Sequence, residues 1–493
     1  MTQNRIPAMT PLVLALLLAG CAGTRSDYQT PAVALPAAWQ QAVAPAQAAE
    51  LPERWWRQFN DPALDQLIET ALTRNNDLAA AAWRVRQAQL QAGIAATSLA
   101  PTLGASVSSN ASRRLDGDGN ATVRSSGATL SASYEVDLWG RVARTRDAAE
   151  WAARATQQDL EAAAQALAGT AAGLYWQLAY VQQRLDSGGD SLAYALRTQE
   201  LVRVQYAAGA VSALELREAE QTVASQRAVL AQLEQLRVET RNALALLMDG
   251  PPGVATPGVA TPGVATPGVA TPGDEALAQL LPQTPTRLPE TALPLVAAGV
   301  PAELLARRPD LRAAEARLRN VLASGDATRA SYYPALTLTG QLGTSSSALL
   351  SLLSNPVAAL GAGLSLPFLR AREMQLSGEL ASAQYAEAVT NFRQTLYTAL
   401  ADVENALSAR TQLAVQGEQL ALQLAAAREA ERLYEVRYRT GAAALRLWLD
   451  AQERRRSAEL AQQQNRLDQR NALATLYRVL GGGVPAVGLA AVQ

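Results

Sequence analysis

The chain has 493 residues, a formal net charge of −1, 49% apolar side chains and only 5% aromatics. So long a chain exceeds one ordinary core, and so small a charge gives no basis for nucleic-acid binding. There is no histidine or lysine, one cysteine and four methionines, which excludes Ser-His-Asp and Cys-His catalysis, most transition-metal sites and a soft-metal relay.

Residues 1–20 read as a secretory signal peptide. Arg5 lies in a short polar start, the apolar run Leu12–Leu18 follows, and Ala19-Gly20 closes it. That run is too short for a permanent bilayer span. Leu18-Ala19-Gly20-Cys21 matches the bacterial lipoprotein signal, so Cys21 is expected to carry covalent lipid, with no other cofactor and no metal implied. A stray cysteine after an ordinary signal is the alternative, but no second thiol exists to pair with it. Ala22, where an Asp would suggest retention in the inner membrane, favours the outer membrane. Residues 21–60, rich in Pro, Ala and Gln without a period, read as a lipidated tether.

Residues 61–248 form a first repeat. Asp61 caps a helix with Pro62 at its first position, and the pattern carries that helix to about Ala100. Residues 102–138 read as a hairpin: Leu103, Ala105 and Val107 alternate with polar residues, then Arg114 to Arg124 form a loop. Leu130, Ala132, Tyr134 and Val136 then alternate with Ser131, Ser133, Glu135 and Asp137. Each strand has the length and small aliphatic outer face of a membrane-barrel strand. From Arg141 the pattern turns helical to about Ala207, with Gly188-Gly189 able to kink or break it. A turn at Gly209 leads to a helix ending near Met248, whose apolar residues follow a coiled-coil-like spacing.

Residues 249–300 are a Pro/Gly-rich linker in which PGVAT repeats from Pro252 to Gly273; regular helix is excluded there. The repeat is a spacer or recognition segment, or a neutral expansion in a tolerant loop. Residues 301–480 then repeat the first half: a helix over 302–331, a hairpin over 335–367, a helix from Arg370 to about Arg439, a turn at Gly441 and a return helix. Residues 481–493 form a C-terminal tail. Pro101 and Pro334, like Gly209 and Gly441, recur at nearly constant offset, the mark of a tandem duplication.

Four strands cannot close a barrel, and an open sheet edge in lipid leaves backbone groups unsatisfied at several kcal/mol each. The chain must therefore pool strands with copies of itself; geometry alone allows a dimer, trimer or tetramer.

The lipobox, WWRQFNDPALDQLI, YEVDLWGR, LLARRPDLRAAEARL and two Tyr-x-x-Gly turns closely resemble the outer-membrane efflux lipoproteins of the TolC superfamily, in the NodT- or OprM-type branch. The resemblance covers essentially the whole mature chain. It implies a mixed α/β membrane protein, a homotrimer with a 12-stranded β-barrel (four strands per chain) continuous with a long periplasmic α-helical barrel. It further implies a periplasmic adaptor (membrane fusion protein) and an inner-membrane RND pump as partners, and passive conduction of small molecules such as drugs, with no enzymatic step.

In that family the gate lies at the periplasmic tip, which maps here to Tyr206–Glu218 and Tyr438–Glu453. The acidic constriction residue falls on Asp450. A second aspartate of some members is here Leu447, and a basic tip residue is Ala443, so neither acts here in that way. Tyr438 is retained, Glu215 sits where it could bond to it across the tip, and Glu218 lies beside it. Solvated helix faces would show the same acidic residues. Alternatives are a type I protein-secretion channel and, from another class, a periplasmic coiled-coil scaffold lipoprotein, for which the four strands are needless.

Overall fold

The computed structural model describes residues 25–41, 51–113, 122–250, 285–294, 296, 299, 301–346 and 356–485. The signal peptide, Cys21, the PGVAT repeats and the tail from residue 486 lie outside them. Two helices, α1 (Pro62–Arg74) and α2 (Asn76–Thr97), lead to strands β1 (Thr102–Arg113) and β2 (Thr122–Val136). Then come α3 (Arg141–Ala207) and α4 (Ala213–Leu247). The second half repeats the order with α5 (Leu304–Arg307), α6 (Pro309–Ala330), β3 (Ala335–Ser346), β4 (Pro356–Ser365), α7 (Ala371–Arg439) and α8 (Leu445–Val479).

The compact units do not follow the sequence repeats. One comprises Met1–Val33, Trp83–Gln158 and Asp310–Leu396; the other Ala34–Ala82, Asp159–Pro309 and Tyr397–Gln493. Each draws on both halves of the chain.

The first unit holds an antiparallel sheet in the order β1-β2-β3-β4. Its register places the four apolar sets on one face, in rows such as Leu103–Ala132–Gly340–Leu360 and Ala105–Leu130–Leu342–Ala358. The other face carries rows such as Thr102–Ser133–Thr339–Gly361. Leu103 is 77% and Leu360 95% exposed, so this face has no covering among the described residues. Such a face is stable only against something as apolar as itself. No helix among the described residues is long and apolar enough to cross a membrane.

The strand-to-helix junction explains the residues of YEVDLWGR. Arg141 donates two hydrogen bonds, at 2.9 and 2.6 Å, to the Glu135 carboxylate. Asp137 accepts from the N–H groups of Val142 and Ala143, satisfying donors that the first turn of α3 leaves open. Trp139 donates from its indole nitrogen to the Pro334 carbonyl at 2.8 Å, tying the first hairpin to the second. The described start of the tether packs here too. Ser26 donates from its backbone N–H and hydroxyl to buried Asp326, and the Arg319 guanidinium lies 4.3 Å from the Tyr28 ring.

In the second unit, Trp55 and Trp56 are buried in a short 3-10 helix, Trp55–Phe59. Trp55 stacks on Tyr477 and Phe59 packs against Trp176. Asp61 caps α1 as expected, and its second carboxylate oxygen accepts from Tyr175 at 2.9 Å.

Two expectations about the helices are corrected, and of the two left open at Gly188-Gly189 a break is removed. The first helix does not run unbroken to Ala100: Asn75 takes extended backbone (ψ 125), caps α2 through the Leu78 N–H, and donates to the Leu247 carbonyl. The helix expected over 302–331 breaks at Arg308, because the residue before Pro309 is driven out of helical conformation. Buried Arg308 then donates to the carbonyls of Ala399 and Val479 and pairs with Asp402. Finally, α3 passes through Gly188-Gly189 without a break. A Cβ on Gly188 would lie 2.9 Å from a Leu230 methyl, so that glycine serves close packing between α3 and α4.

Replacing Asp137 by Ala should cost about 1 kcal/mol, the usual cost of losing a helix cap. Thermal unfolding of the assembled protein in detergent measures it; an unchanged midpoint would mean that the junction is held without the cap.

Candidate functional site at the helical hairpin tips

Both tips are built in the second unit by the same backbone device. In the first, the Gly209 N–H bonds to the Tyr206 carbonyl and the Ala210 N–H to that of Gln205; in the second, Gly441 bonds to Tyr438 and Ala442 to Arg437. This is the Schellman pattern, with the glycines at φ +71 and +77. A side chain at either position would be strained, which is why glycine closes both helices.

Beyond the turns the tips differ. Ser212 and Glu215 form a capping box at the start of α4: the Ser212 hydroxyl accepts from the Leu214 N–H, and the Glu215 carboxylate accepts from the Ser212 N–H at 3.0 Å and from its hydroxyl. Ala444 offers α8 no such cap. The second tip is held instead by aromatics. Tyr438 stacks on Trp448 at 5.1 Å, and Tyr194 meets the same indole edge-on at 6.0 Å. Trp448, Leu445, Val202 and Ala219 form a buried cluster there, with Val211 and Leu216 packed against it.

Two side-chain hydrogen bonds link the hairpins. The Tyr438 hydroxyl donates to Gln205 Oε1 at 3.0 Å, and Gln452 Nε2 donates to the Tyr194 hydroxyl at 3.1 Å. Burial, reinforced by Glu435 and Glu431, pushes the Tyr194 phenol up to about 12, so it stays protonated. The expected Tyr438–Glu215 bond is therefore corrected: Tyr438 does tie the tips together, but through Gln205, while Glu215 is engaged in capping its own helix.

Asp450 and Leu447 are both exposed, one helical turn apart on α8. Asp450 lines a groove of about 690 Å³ between α7 and α8, together with Ala426, Ala427, Ala430 and Ala451. Glu218 is half-buried on α4, with no ion pair among the described residues. The structure thus separates the expected set in two. Asp450 and Leu447 share an exposed strip, whereas Tyr438 and Glu215 hold the tip together. Cys21 lies outside the described residues. Gln205, Tyr194, Trp448 and Gln452 were not singled out in the sequence. Only Trp448, a large aromatic seven residues past Gly441, gave a signal; the glutamines lie in a Gln-rich background. No group of His, Cys, Asp and Glu suited to a metal occurs among the described residues.

An apolar sheet face and long helical hairpins in one chain fit one class: a membrane channel subunit. Comparison with known proteins makes this specific. The profile of the family "Outer membrane efflux protein" matches residues 67–250 and 300–482, and the chain belongs to that family. It is 34% identical over 492 residues, 98% of each chain, to the pyoverdine export outer membrane protein OpmQ of Pseudomonas putida. It is 30% identical to the outer membrane protein OprJ of Pseudomonas aeruginosa, over 96% of this chain and 95% of that one. The solved outer-membrane channel OprN superposes with a TM-score of 0.79 at 26% identity, covering 93% of this chain and 99% of its own. The fold is that of the trimeric TolC-like channels, and the protein is an outer-membrane efflux channel component with a periplasmic extension.

Glu215 yields a pH prediction. Its carboxyl is held below the usual carboxylate range, first by the Ser212 hydroxyl and then by backbone N–H groups. A folded value below the unfolded one means that the stabilisation is complete above the ordinary carboxylate pKa and lost as pH falls through the folded value. Amide protection in the first turn of α4 should therefore fall as the pH drops below the ordinary glutamate value of about 4.3, and Glu215→Gln should flatten that dependence. The same steep fall in the variant would show that another group controls it.

Proposed function

We propose that this chain is the outer-membrane conduit of a tripartite RND-type efflux system, acting as a homotrimer. The observation that carries this is a four-stranded sheet with an uncovered leucine face and two open edges, β1 and β4, fused to long helical hairpins. Pairing β4 of one copy with β1 of the next satisfies both edges, and three copies give a barrel of 12 strands. The hairpins of the three copies close a helical tunnel, with their tips toward a periplasmic adaptor and an inner-membrane pump. Energy comes from the pump, and this protein performs no chemistry. Cys21 carries the lipid that anchors each copy in the outer membrane. Small molecules such as drugs are the cargo, and the name of OpmQ, a pyoverdine export protein, makes pyoverdine a compound to test first.

The deciding measurement is the mass of the detergent-extracted protein from native outer membranes. Three copies, each with an acylated Cys21, are expected; a detergent-independent monomer would sink the proposal.

Asp450 supplies the electrostatic part of the gate. Three carboxylates brought near one axis repel one another and favour cations, while Leu447 narrows the bore without charge. Asp450→Ala, combined with Tyr438→Phe to loosen the tip, should raise single-channel conductance or reduce cation selectivity in planar bilayers. Unchanged values for both quantities would remove Asp450 from the gate.

A further inference from the structure

The register of the sheet carries an observation that conduction does not use. On the apolar face, five successive rows run from Val136–Leu336–Leu364 through Tyr134–Leu338–Ala362, Leu103–Ala132–Gly340–Leu360 and Ala105–Leu130–Leu342–Ala358 to Val107–Ala128–Thr344–Pro356. At about 3.4 Å per residue this band is about 27 Å long along the strands, and a barrel tilt near 40° reduces it to about 20 Å across the membrane. The composition of the same face then changes. The next row is Ser109–Ser126–Ser346, with the first two hydroxyls 3.1 Å apart. Beyond it come Ala111–Arg124 and then Arg113–Thr122. Arg124, expected in a loop, lies in β2, which begins at Thr122. It therefore shares the lipid-side face with Arg113.

Both arginines are exposed, and neither has an ion pair among the described residues. They stand one and two rows past the hydroxyls, at the end of the sheet away from the helices. With the helices in the periplasm, this is the outer leaflet. Aromatic girdles usually mark such a rim, but the described residues of this face beyond Val107 include no Trp or Tyr. A guanidinium at that depth faces lipid headgroups, and its forked donors match phosphate oxygens in charge and geometry.

We infer that Arg113 and Arg124 form a binding surface for the phosphate groups of the phosphorylated glycolipid of the outer leaflet, one such surface on each copy. Their guanidinium groups, one strand row apart, pair with the phosphates at the headgroup level. The inference rests on the sheet lying in the outer membrane and is independent of what the channel carries.

The test uses the full-length assembled protein in detergent, with bis-phosphorylated lipid A as the probe and native mass spectrometry to count bound lipid. The double variant Arg113→Ser/Arg124→Ser should bind at least about tenfold more weakly, as loss of charge-assisted hydrogen bonds implies. Arg113→Lys/Arg124→Lys should keep most of the binding, and wild type should hold dephosphorylated lipid A as weakly as the serine variant holds the phosphorylated form. Equal binding by wild type and the serine variant overturns the inference, as does equal binding of the two lipid A forms. Phosphatidylglycerol competing on equal terms overturns it as well, because the surface would then take any anionic headgroup. If the serine variant fails to assemble, the comparison of lipids on wild type still decides.

Discussion

The unsatisfied backbone edges of a four-stranded sheet govern the rest of this molecule. In water, the free N–H and C=O groups of β1 and β4 would be hydrated at little cost. In lipid each lacks a partner, and the cost per group is several kcal/mol. The leucine face rules out water as the surroundings, and the open edges rule out lipid for a single chain. Only pairing with further copies meets both demands. The internal repeat fits the same requirement: two hairpins per chain, already joined along β2 and β3, leave only two edges to be closed by assembly.

The residues that make the family recognisable are mostly structural. Trp55 and Trp56 fill the second unit, Asp61 caps α1 and holds Tyr175, and Arg308 bonds to carbonyls of α7 and of α8. Close to that arginine, a Cβ on Gly481 would meet the Arg307 backbone at 2.9 Å. Glu135, Asp137, Trp139 and Arg141 fix the angle at which a strand becomes a helix. The motifs that carry the resemblance therefore describe how the conduit is held together.

Much of this was legible in the sequence because the two periods are unambiguous. Alternation of Leu or Ala with Gly or Ser in residues 360–365 admits only a strand with two unlike faces, and the unbroken Ala/Arg/Glu runs admit only helix. The breaks were harder. Pro309 announced the one at Arg308, but the neighbouring apolar spacing hid it; at Asn75 the break depends on a carbonyl from α4, a partner 172 residues away. The tip shows the same limit. Tyr438 is conspicuous beside its turn, yet its partner, Gln205, is one glutamine among many and acquires its role only from packing. Glu215 was conspicuous for a different reason, the S-x-x-E signature of a cap, and that local bond prevails over a longer-range one.

The central pairing of the sheet also bears on how the protein is made. Val136 pairs with Leu336, two hundred residues further along the chain, while β1 and β2 pair locally. During export the first hairpin emerges long before its neighbour exists, with an apolar face and an unpaired edge. Contacts so distant in sequence form slowly, and the waiting segment is prone to aggregation. Until the second half arrives the chain therefore carries a bare apolar face and a free strand edge, a hazard of its making that the stability of the finished channel does nothing to remove.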